Sequence, residues 1–243
     1  DTTTLERTSY FLSYVDSGWL TIGLYVVRNA YPELADQANA LIGKMDFRIF
    51  YDDVEQHMYH GFYTNIAYFP EYHYGAFYTE PRAISYMAIG KGDAPTAHWF
   101  ELIRTFPSSY YWQRQQPKNR VEKETLGCKY FGGYYEYDGL KYVPSWGGSL
   151  FEALMPTLVL KEKELAPNGL GVNDLRHALI HVKEAKEKLG YPVWGMSPSS
   201  VPDGGYSEYG VYDLGSKGYK PGVVTPHVTF LALEFIPDEA VAN

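Results

Sequence analysis

Apolar side chains at Val15, Trp19, Leu20, Ile22, Leu24, Val26 and Val27 recur with a broadly helical period and stop short of Pro32, which predicts a helix over 15–30. Pro32 suits the first turn of a second helix, to about Met45, with Leu34, Ala38, Leu41 and Ile42 on one face, so the two predict an αα-hairpin. Phe47 to Tyr51 and His57 to Tyr63 alternate loosely around Asp52-Asp53, the pattern of a short β-hairpin. Residues 64–78 carry so many aromatics that they predict a long but ordered loop. Thr79, ahead of Glu80-Pro81, reads as the N-cap of a helix that Gly90 closes after Ile89; Asp93 reads as the cap of the next, with Trp99, Leu102 and Ile103 inward.

Residues 106–146 are turn-rich and aromatic, and Tyr135 to Val143 predict a hairpin around a type I′ turn at Asp138-Gly139. Gly147-Gly148-Ser149 should open a helix through Phe151, Leu154 and Met155 that Pro156 breaks. Asn173 reads as the cap of an amphipathic helix from Asp174 to Leu189, closed by Gly190. A Gly/Pro/Ser/Tyr-rich loop follows over 191–222, then a helix from Pro226 to about Phe235, and Pro237 reads as a further helix start. The pattern predicts an all-α chain of paired helices with short β-hairpins and long aromatic loops; a four-helix bundle would need shorter connections. Its abrupt start and end read as those of a fragment, or of a chain completed by elements from elsewhere.

Composition narrows the function. The 243 residues suffice for a single domain, 1–243, with a sizeable core. Hydrophobic residues make up 45% and charged ones 21%, which argues against disorder. Lys plus Arg is 21 against 29 Asp plus Glu, a net charge of −8 without a basic block, so neither nucleic acid nor an anionic membrane is an expected partner. The single cysteine, Cys128, rules out an intrachain disulfide and a zinc cluster of cysteines. No apolar run approaches the roughly 20 residues of a membrane span. Aromatics reach 17%, with 24 Tyr, an excess that suggests wet, amphipathic surfaces as well as core.

Three carboxylates stand out. Asp16 begins an apolar helix, Glu80 follows the aromatic loop Tyr72 to Tyr78, and Glu152 sits among Leu150, Phe151, Leu154 and Met155. Asp16 and Glu80 are better explained, on residue type alone, as first-turn carboxylates favoured by the helix dipole. Glu152 is harder to dismiss, because an apolar setting raises a carboxyl pKa and suits it to proton transfer; an ion pair with Arg82 is the competing account. His177 and His181 have the i, i+4 spacing of metal ligands, but their helix is rich in Lys and Glu, and a solvated face outweighs a metal site there, as it does for His57 and His60. No metal and no cofactor is expected. Gly147-Gly148 is too short for a phosphate cradle, and no nucleophile elbow of the Gly-x-Ser-x-Gly type is present.

Four collinear segments carry a resemblance. Val15-Asp-Ser-Gly-Trp-Leu20; Tyr78-Thr-Glu-Pro-Arg-Ala-Ile-Ser-Tyr-Met-Ala-Ile-Gly-Lys-Gly-Asp93 with His98-Trp-Phe100; Pro144-Ser-Trp-Gly-Gly-Ser-Leu-Phe-Glu-Ala-Leu-Met-Pro156; and Val224-Thr-Pro-His-Val-Thr-Phe-Leu-Ala-Leu233 resemble, in that order, the glycoamylase-like domain family. That family includes bacterial endo-β-1,2-glucanases and a domain of cyclic β-1,2-glucan synthases. The resemblance implies an (α/α)6 toroid with its site on the inter-helix loops. It also implies that this chain is the C-terminal larger part, incomplete without N-terminal helices from an upstream segment or an additional chain. Glu80 matches the Glu of the family's Ser/Thr-Glu-Ala/Pro-Arg motif and Glu152 that of Met-Phe-Glu, so both look like catalytic residues, with Asp16 at a place where relatives carry an acid. Some relatives have a further Asp one turn earlier, where this chain has Ser13. Tyr78, Arg82, Trp146, Tyr206, Tyr209 and His227 would contact sugar, with Trp194 a stacking candidate.

The expected activity is hydrolysis of a neutral glucan, foremost an endo-β-1,2-glucanase, with Glu80 as general acid and Glu152 or Asp16 as the second carboxylate, and inversion favoured over retention. The alternatives are a polysaccharide lyase on a similar toroid, and a non-catalytic glycan binder or transferase module of a larger protein. Because polymeric glucan is met outside the cytoplasm, a periplasmic or secreted location is expected.

Overall fold

In a computed structural model, residues 3–4 and 6–243 are described. The chain divides into two compact units, one of Asp1–Gly75 with Ala83–Leu102, the other of Ala76–Arg82 with Ile103–Asn243.

The first unit holds β1 (Phe11–Ser13), α1 (Tyr14–Ala30), α2 (Ala35–Ile42), β2 (Tyr51–Asp52), β3 (His57–Tyr59), β4 (Gly61–Tyr63), β5 (His73–Tyr74), α3 (Arg82–Lys91, its first residue counted with the second unit) and α4 (Ala97–Glu101). Ser13 is the extended N-cap of α1, its hydroxyl accepting the Asp16 N–H at 3.2 Å. Pro32 opens a short 3₁₀ turn that folds α2 back on α1, the αα-hairpin expected from the pattern. At Gly18 a Cβ would lie 2.1 Å from Ile84 Cγ1, so glycine is what lets α1 approach α3.

The predicted strand at 47–51 is instead a 3₁₀ turn, Phe47–Phe50. Asp46 caps it by accepting the Arg48 N–H at 3.0 Å, and the i, i+3 pair Phe47 and Phe50 is buried together, a spacing that loose alternation imitates. The hairpin is therefore only β2–β3, which β5 extends to three strands, while β4 pairs back with β1. The aromatic loop is ordered, with Phe69 packed on Tyr59 and Phe62 at ring-centre distances of 4.7 and 4.6 Å. Helix α3 begins two residues later than expected, because the Thr79 hydroxyl bonds the Ala76 carbonyl instead of capping. Gly90 lies inside α3, and Gly92, at φ +82°, follows its end. Asp93 does not cap α4; its carboxylate accepts the Phe47 N–H at 3.0 Å and pairs with Lys91.

The second unit corrects the all-α expectation. Strands β6 (Asn119–Thr125), β7 (Cys128–Tyr137) and β8 (Leu140–Tyr142) form an antiparallel sheet in that order. The β7–β8 turn has Asp138 at φ 46° and Gly139 at φ 83°, as a type I′ turn requires. Strand β6 escapes a hydrophobic-pattern reading because every residue in it is exposed, and its turn is held by Leu126 and Gly127, both at positive φ. Next come α5 (Leu150–Leu154), which passes at Pro156 into a 3₁₀ turn, α6 (Glu162–Leu165), and α7 (Leu170–Lys183), prolonged by a wider π turn over Glu184–Lys188. The pair β9 (Ser199–Ser200) and β10 (Tyr206–Ser207) interrupts the long loop before α8 (Pro226–Leu231) and α9 (Pro237–Val241). Asn173 does not cap α7, which starts behind Gly169; its buried amide takes the Val143 N–H at 2.8 Å and donates to the Val143 carbonyl at 3.0 Å, as a neighbouring strand would.

Tyrosine forms much of this unit's core: Tyr135, Tyr137 and Tyr142 are buried with Ile180, Met196, Val211 and Leu214. Their hydroxyls are satisfied, Tyr135 by Gln113 and Tyr142 by the Asp213 carbonyl, so the aromatic excess is in part a polar-tipped core. Among the described residues no helix is long and apolar enough to cross a membrane.

Candidate active site

Glu152 occupies the first turn of α5. Its Oε2 accepts from Ser145 Oγ at 3.0 Å, from the Gly147 N–H at 3.0 Å and from the Ser149 N–H at 3.1 Å. The donors exist because the chain from Ser145 to Gly148 runs along residues 215–219: Ser145 O accepts from Ser216, Trp146 O from Lys217 and Gly147 O from Tyr219. Two glycines make this approach possible. A Cβ on Gly147 would lie 2.0 Å from the Tyr219 ring, and one on Gly148, at φ +76°, would lie 2.1 Å from the Val211 carbonyl. Burial pushes the Glu152 pKa up, and the hydrogen bonds from Ser149, Gly147 and Ser145 offset part of that by favouring the ionised form.

Glu80 lies in the same unit, half-buried, on the one-turn loop where the Arg82 N–H returns to the Thr79 carbonyl at 3.1 Å. Two phenols connect it electrostatically to Glu152. Tyr206, only partly buried, is raised by that partial burial and then by Glu208 and Glu80; Tyr219 is raised by burial, then by Glu152 and Glu208, and it hydrogen-bonds Glu208. Glu80 and Glu208 thus act on Tyr206, and Glu152 and Glu208 on Tyr219. Neither Glu208 nor Tyr219 is among the expected site residues, although Glu208 stands in Tyr206-Ser-Glu-Tyr209 between two tyrosines that are. Trp146, directly before Gly147, packs against Trp112 at 5.2 Å, and the two are 38% and 39% exposed, a half-open aromatic pair beside the Glu152 turn. Trp112 was also not foreseen.

Several expected sugar contacts lie elsewhere. Trp194 is fully buried and presents no face for stacking. Tyr78 is fully buried and donates to Asp174. Arg82 is fully buried as well, and its partner is not the Glu152 carboxylate but Glu162, bound by Nε at 2.9 Å and Nη2 at 2.8 Å. Tyr209 is half-buried against the tyrosine core and Gly222. Tyr206, 70% exposed, and His227, exposed on the first turn of α8, remain accessible. Asp16 is exposed on α1 of the first unit.

His177 and His181 are neither on a solvated face nor arranged as ligands. Both are buried, with Nε2 on the Val143 carbonyl at 2.9 Å and on the Gly148 carbonyl at 3.0 Å, and burial drives their pKa values down to about 3 and about 4. Among the described residues no group of three or more His, Cys, Asp or Glu side chains could hold a metal ion.

A carboxylate fixed by converging donors, with further acids and phenols about it and an aromatic pair alongside, can move a proton to or from a polyhydroxylated ligand. A candidate glucoamylase from Bacteroides caccae aligns with 95% of this chain and 54% of its own, at 15% identity and a TM-score of 0.58. One from Bacteroides fragilis aligns at 18% identity with a TM-score of 0.57. An endo-β-1,2-glucanase from Chitinophaga pinensis, solved with sophorotriose and glucose, aligns with 95% of this chain and 54% of its own, at 16% identity and a TM-score of 0.54. The chain has a glucoamylase-like fold. It spans about half of each of these structures, and identities this low speak for fold alone. No protein-family model matches the chain. In sequence, the chain is 26% identical over 241 residues to the cyclic β-(1,2)-glucan synthase NdvB of Rhizobium meliloti, an alignment covering 95% of this chain and 7% of that protein.

Proposed function

We propose that the chain carries the paired carboxylates of a glycoside hydrolase acting on a neutral glucan, most specifically a β-1,2-glucan, and that it forms the larger part of one (α/α)6 domain. The observation behind this reading is that Arg82 binds both the Thr79 carbonyl, next to Glu80, and the Glu152 carbonyl, which brings the backbones of the two acids together within one unit. Glycosidic cleavage needs one carboxyl to protonate the leaving oxygen and another to act as base or nucleophile. Glu152, held as an acceptor by Ser145, Gly147 and Ser149, serves as the second of these, and Glu80 as the proton donor. Trp146 and Tyr206 contact the sugar. Likeness to an endo-β-1,2-glucanase fold and to a β-1,2-glucan synthase sequence supports the linkage. A polymer of this kind is met in the periplasm or outside the cell, and we place the activity there.

The match to a synthase favours a second reading, in which the same carboxylates transfer a glucan segment to another sugar. Transfer that preserves the β linkage requires a covalent intermediate and hence retention, whereas direct attack by water gives inversion. Incubating the intact protein with linear β-1,2-glucan and following products by mass spectrometry and anomeric NMR separates the two. Shortened products of inverted configuration support hydrolysis, and lengthened or cyclised products support transfer. Unchanged glucan, or full activity in Glu80→Gln, would overturn the assignment.

A further inference from the structure

Arg82 belongs to the motif that supplies Glu80, yet it lies wholly inside the protein. Its guanidinium has a specific set of acceptors. Nη1 donates to the Thr79 carbonyl at 3.3 Å and the Glu152 carbonyl at 3.1 Å, and Nη2 donates to the Ala153 carbonyl at 2.6 Å. The opposite edge makes the two-pronged bond to Glu162, which orients the plane, and the face lies 4.4 Å from the Tyr78 ring centre. One rigid planar group thus grips the backbone beside Glu80 and the backbone of Glu152 itself. Both contacts are to main chain, so they act on where the two side chains start.

We propose that Arg82 is a positioning residue that sets the spacing between the Glu80 and Glu152 carboxyl groups, with Glu162 holding it in register. The idea rests on the catalytic reading of those two acids. A lysine would keep the charge but, as a point donor, could not span carbonyls on two segments while facing Glu162. Misplacement of reacting groups by about 1 Å can lower a rate by roughly 10²-fold.

The test compares Arg82→Lys with wild type on linear β-1,2-glucan, alongside crystal structures of both. We expect kcat to fall 10- to 100-fold with KM within threefold, and the Glu80–Glu152 carboxyl separation to change. The control is Tyr78→Phe, equally buried and next to Arg82 but not bonded to either acid's backbone; it should keep kcat within threefold even where its melting temperature drops as far. Unchanged kcat and spacing in a folded Arg82→Lys protein overturn the proposal. If that variant does not fold, the isosteric Glu162→Gln decides in its place, with a loss of kcat of at least fivefold expected and full kcat fatal. A wild-type protein inert on the glucan would count against the functional reading instead, and the crystallographic spacing would still judge Arg82.

Discussion

Ser149 and Glu152 cap each other at the start of α5: Ser149 Oγ accepts the Glu152 N–H at 3.1 Å, and Glu152 Oε2 accepts the Ser149 N–H at 3.1 Å. A capping box is an ordinary device for starting a helix. This one differs because the same Oε2 also takes the Ser145 hydroxyl and the Gly147 N–H, more donors than a cap needs. The arrangement that starts the helix therefore also aims the carboxylate.

That double duty can be separated by Glu152→Gln. Glutamine serves as the third residue of a capping box as well as glutamate does, and its carbonyl oxygen can take the Oε2 position with all three donors. We expect a stability loss of no more than about 1 kcal/mol, seen as a melting shift of a few degrees, with activity on glucan reduced at least about 10³-fold because the ionisable oxygen is gone. Calorimetry and initial rates on the same preparation check both. Comparable losses in both would mark Glu152 as a helix cap only.

Ser145→Ala removes one donor to the Glu152 carboxylate and also the hydroxyl that accepts the Gly148 N–H at 2.8 Å. The lost bond favoured the ionised form, so the Glu152 pKa, already lifted by burial, rises further. With Glu152 ionised in the working enzyme, the acidic limb of the kcat/KM profile should move to higher pH, by about half a unit to one unit, equivalent to about 1 kcal/mol for the lost bond. A limb that stays in place would show that Glu152 does not set it.

What could be read from the sequence depended on how local each cause is. The α1–α2 hairpin, the break at Pro156 and the Asp138-Gly139 turn follow from residues within one turn of the feature, and each is present. Strand β6 was missed because a fully exposed strand carries no apolar alternation to detect. Arg82 and Tyr78 adjoin Glu80, and the family resemblance alone makes sugar contacts of them. Their partners Glu162 and Asp174 lie 80 and 96 residues further on, and no short-range pattern announces such a pairing. Glu80 and Glu152 stand out in the sequence as residues, whereas Tyr219 as a group beside Glu152 emerges only from the path of residues 215–219 along the Ser145–Gly148 segment.

Gly147→Ala should be a steric lesion with a known opponent. The new Cβ would fall 2.0 Å from Cδ2 and Cε2 of Tyr219, so the ring must move. Overpacking of this kind costs about 1–3 kcal/mol. Because the clash needs both side chains, Tyr219→Ala should recover most of the stability lost by Gly147→Ala. A double-mutant cycle should then show a coupling of at least about 1 kcal/mol. Activity should not recover with it, since the phenol beside Glu152 and Glu208 is then missing. Additive losses in stability would mean that Tyr219 does not press on this turn.

Acid should weaken the fold well above the usual carboxylate range. Burial lowers the pKa of five of the seven histidines: His57 to about 4, His177 to about 3, His181 to about 4, and His60 and His98 in the same direction. A base whose folded pKa lies below its unfolded value near 6.5 binds more protons when unfolded. Its share of stability is complete above that value and is lost as pH falls towards the folded one. Each fully buried imidazole, His177 and His181, removes about 1.4 kcal/mol per pH unit over that window. Two carboxyls oppose them. Asp174 is raised because burial disfavours its charge, an effect that Arg82 opposes and the nearby Glu162 adds to, and Glu152 is raised by burial, so both favour the folded state on the acid side. Two groups do not offset five, and the melting temperature should fall by at least roughly 3 °C per pH unit between pH 6 and 4.5. Replacing His177 with glutamine, whose amide can still donate to the Val143 carbonyl, should flatten that slope by about one proton's worth. An unchanged melting temperature from pH 7 to pH 5 would mean that these imidazoles reach water more readily than their burial implies.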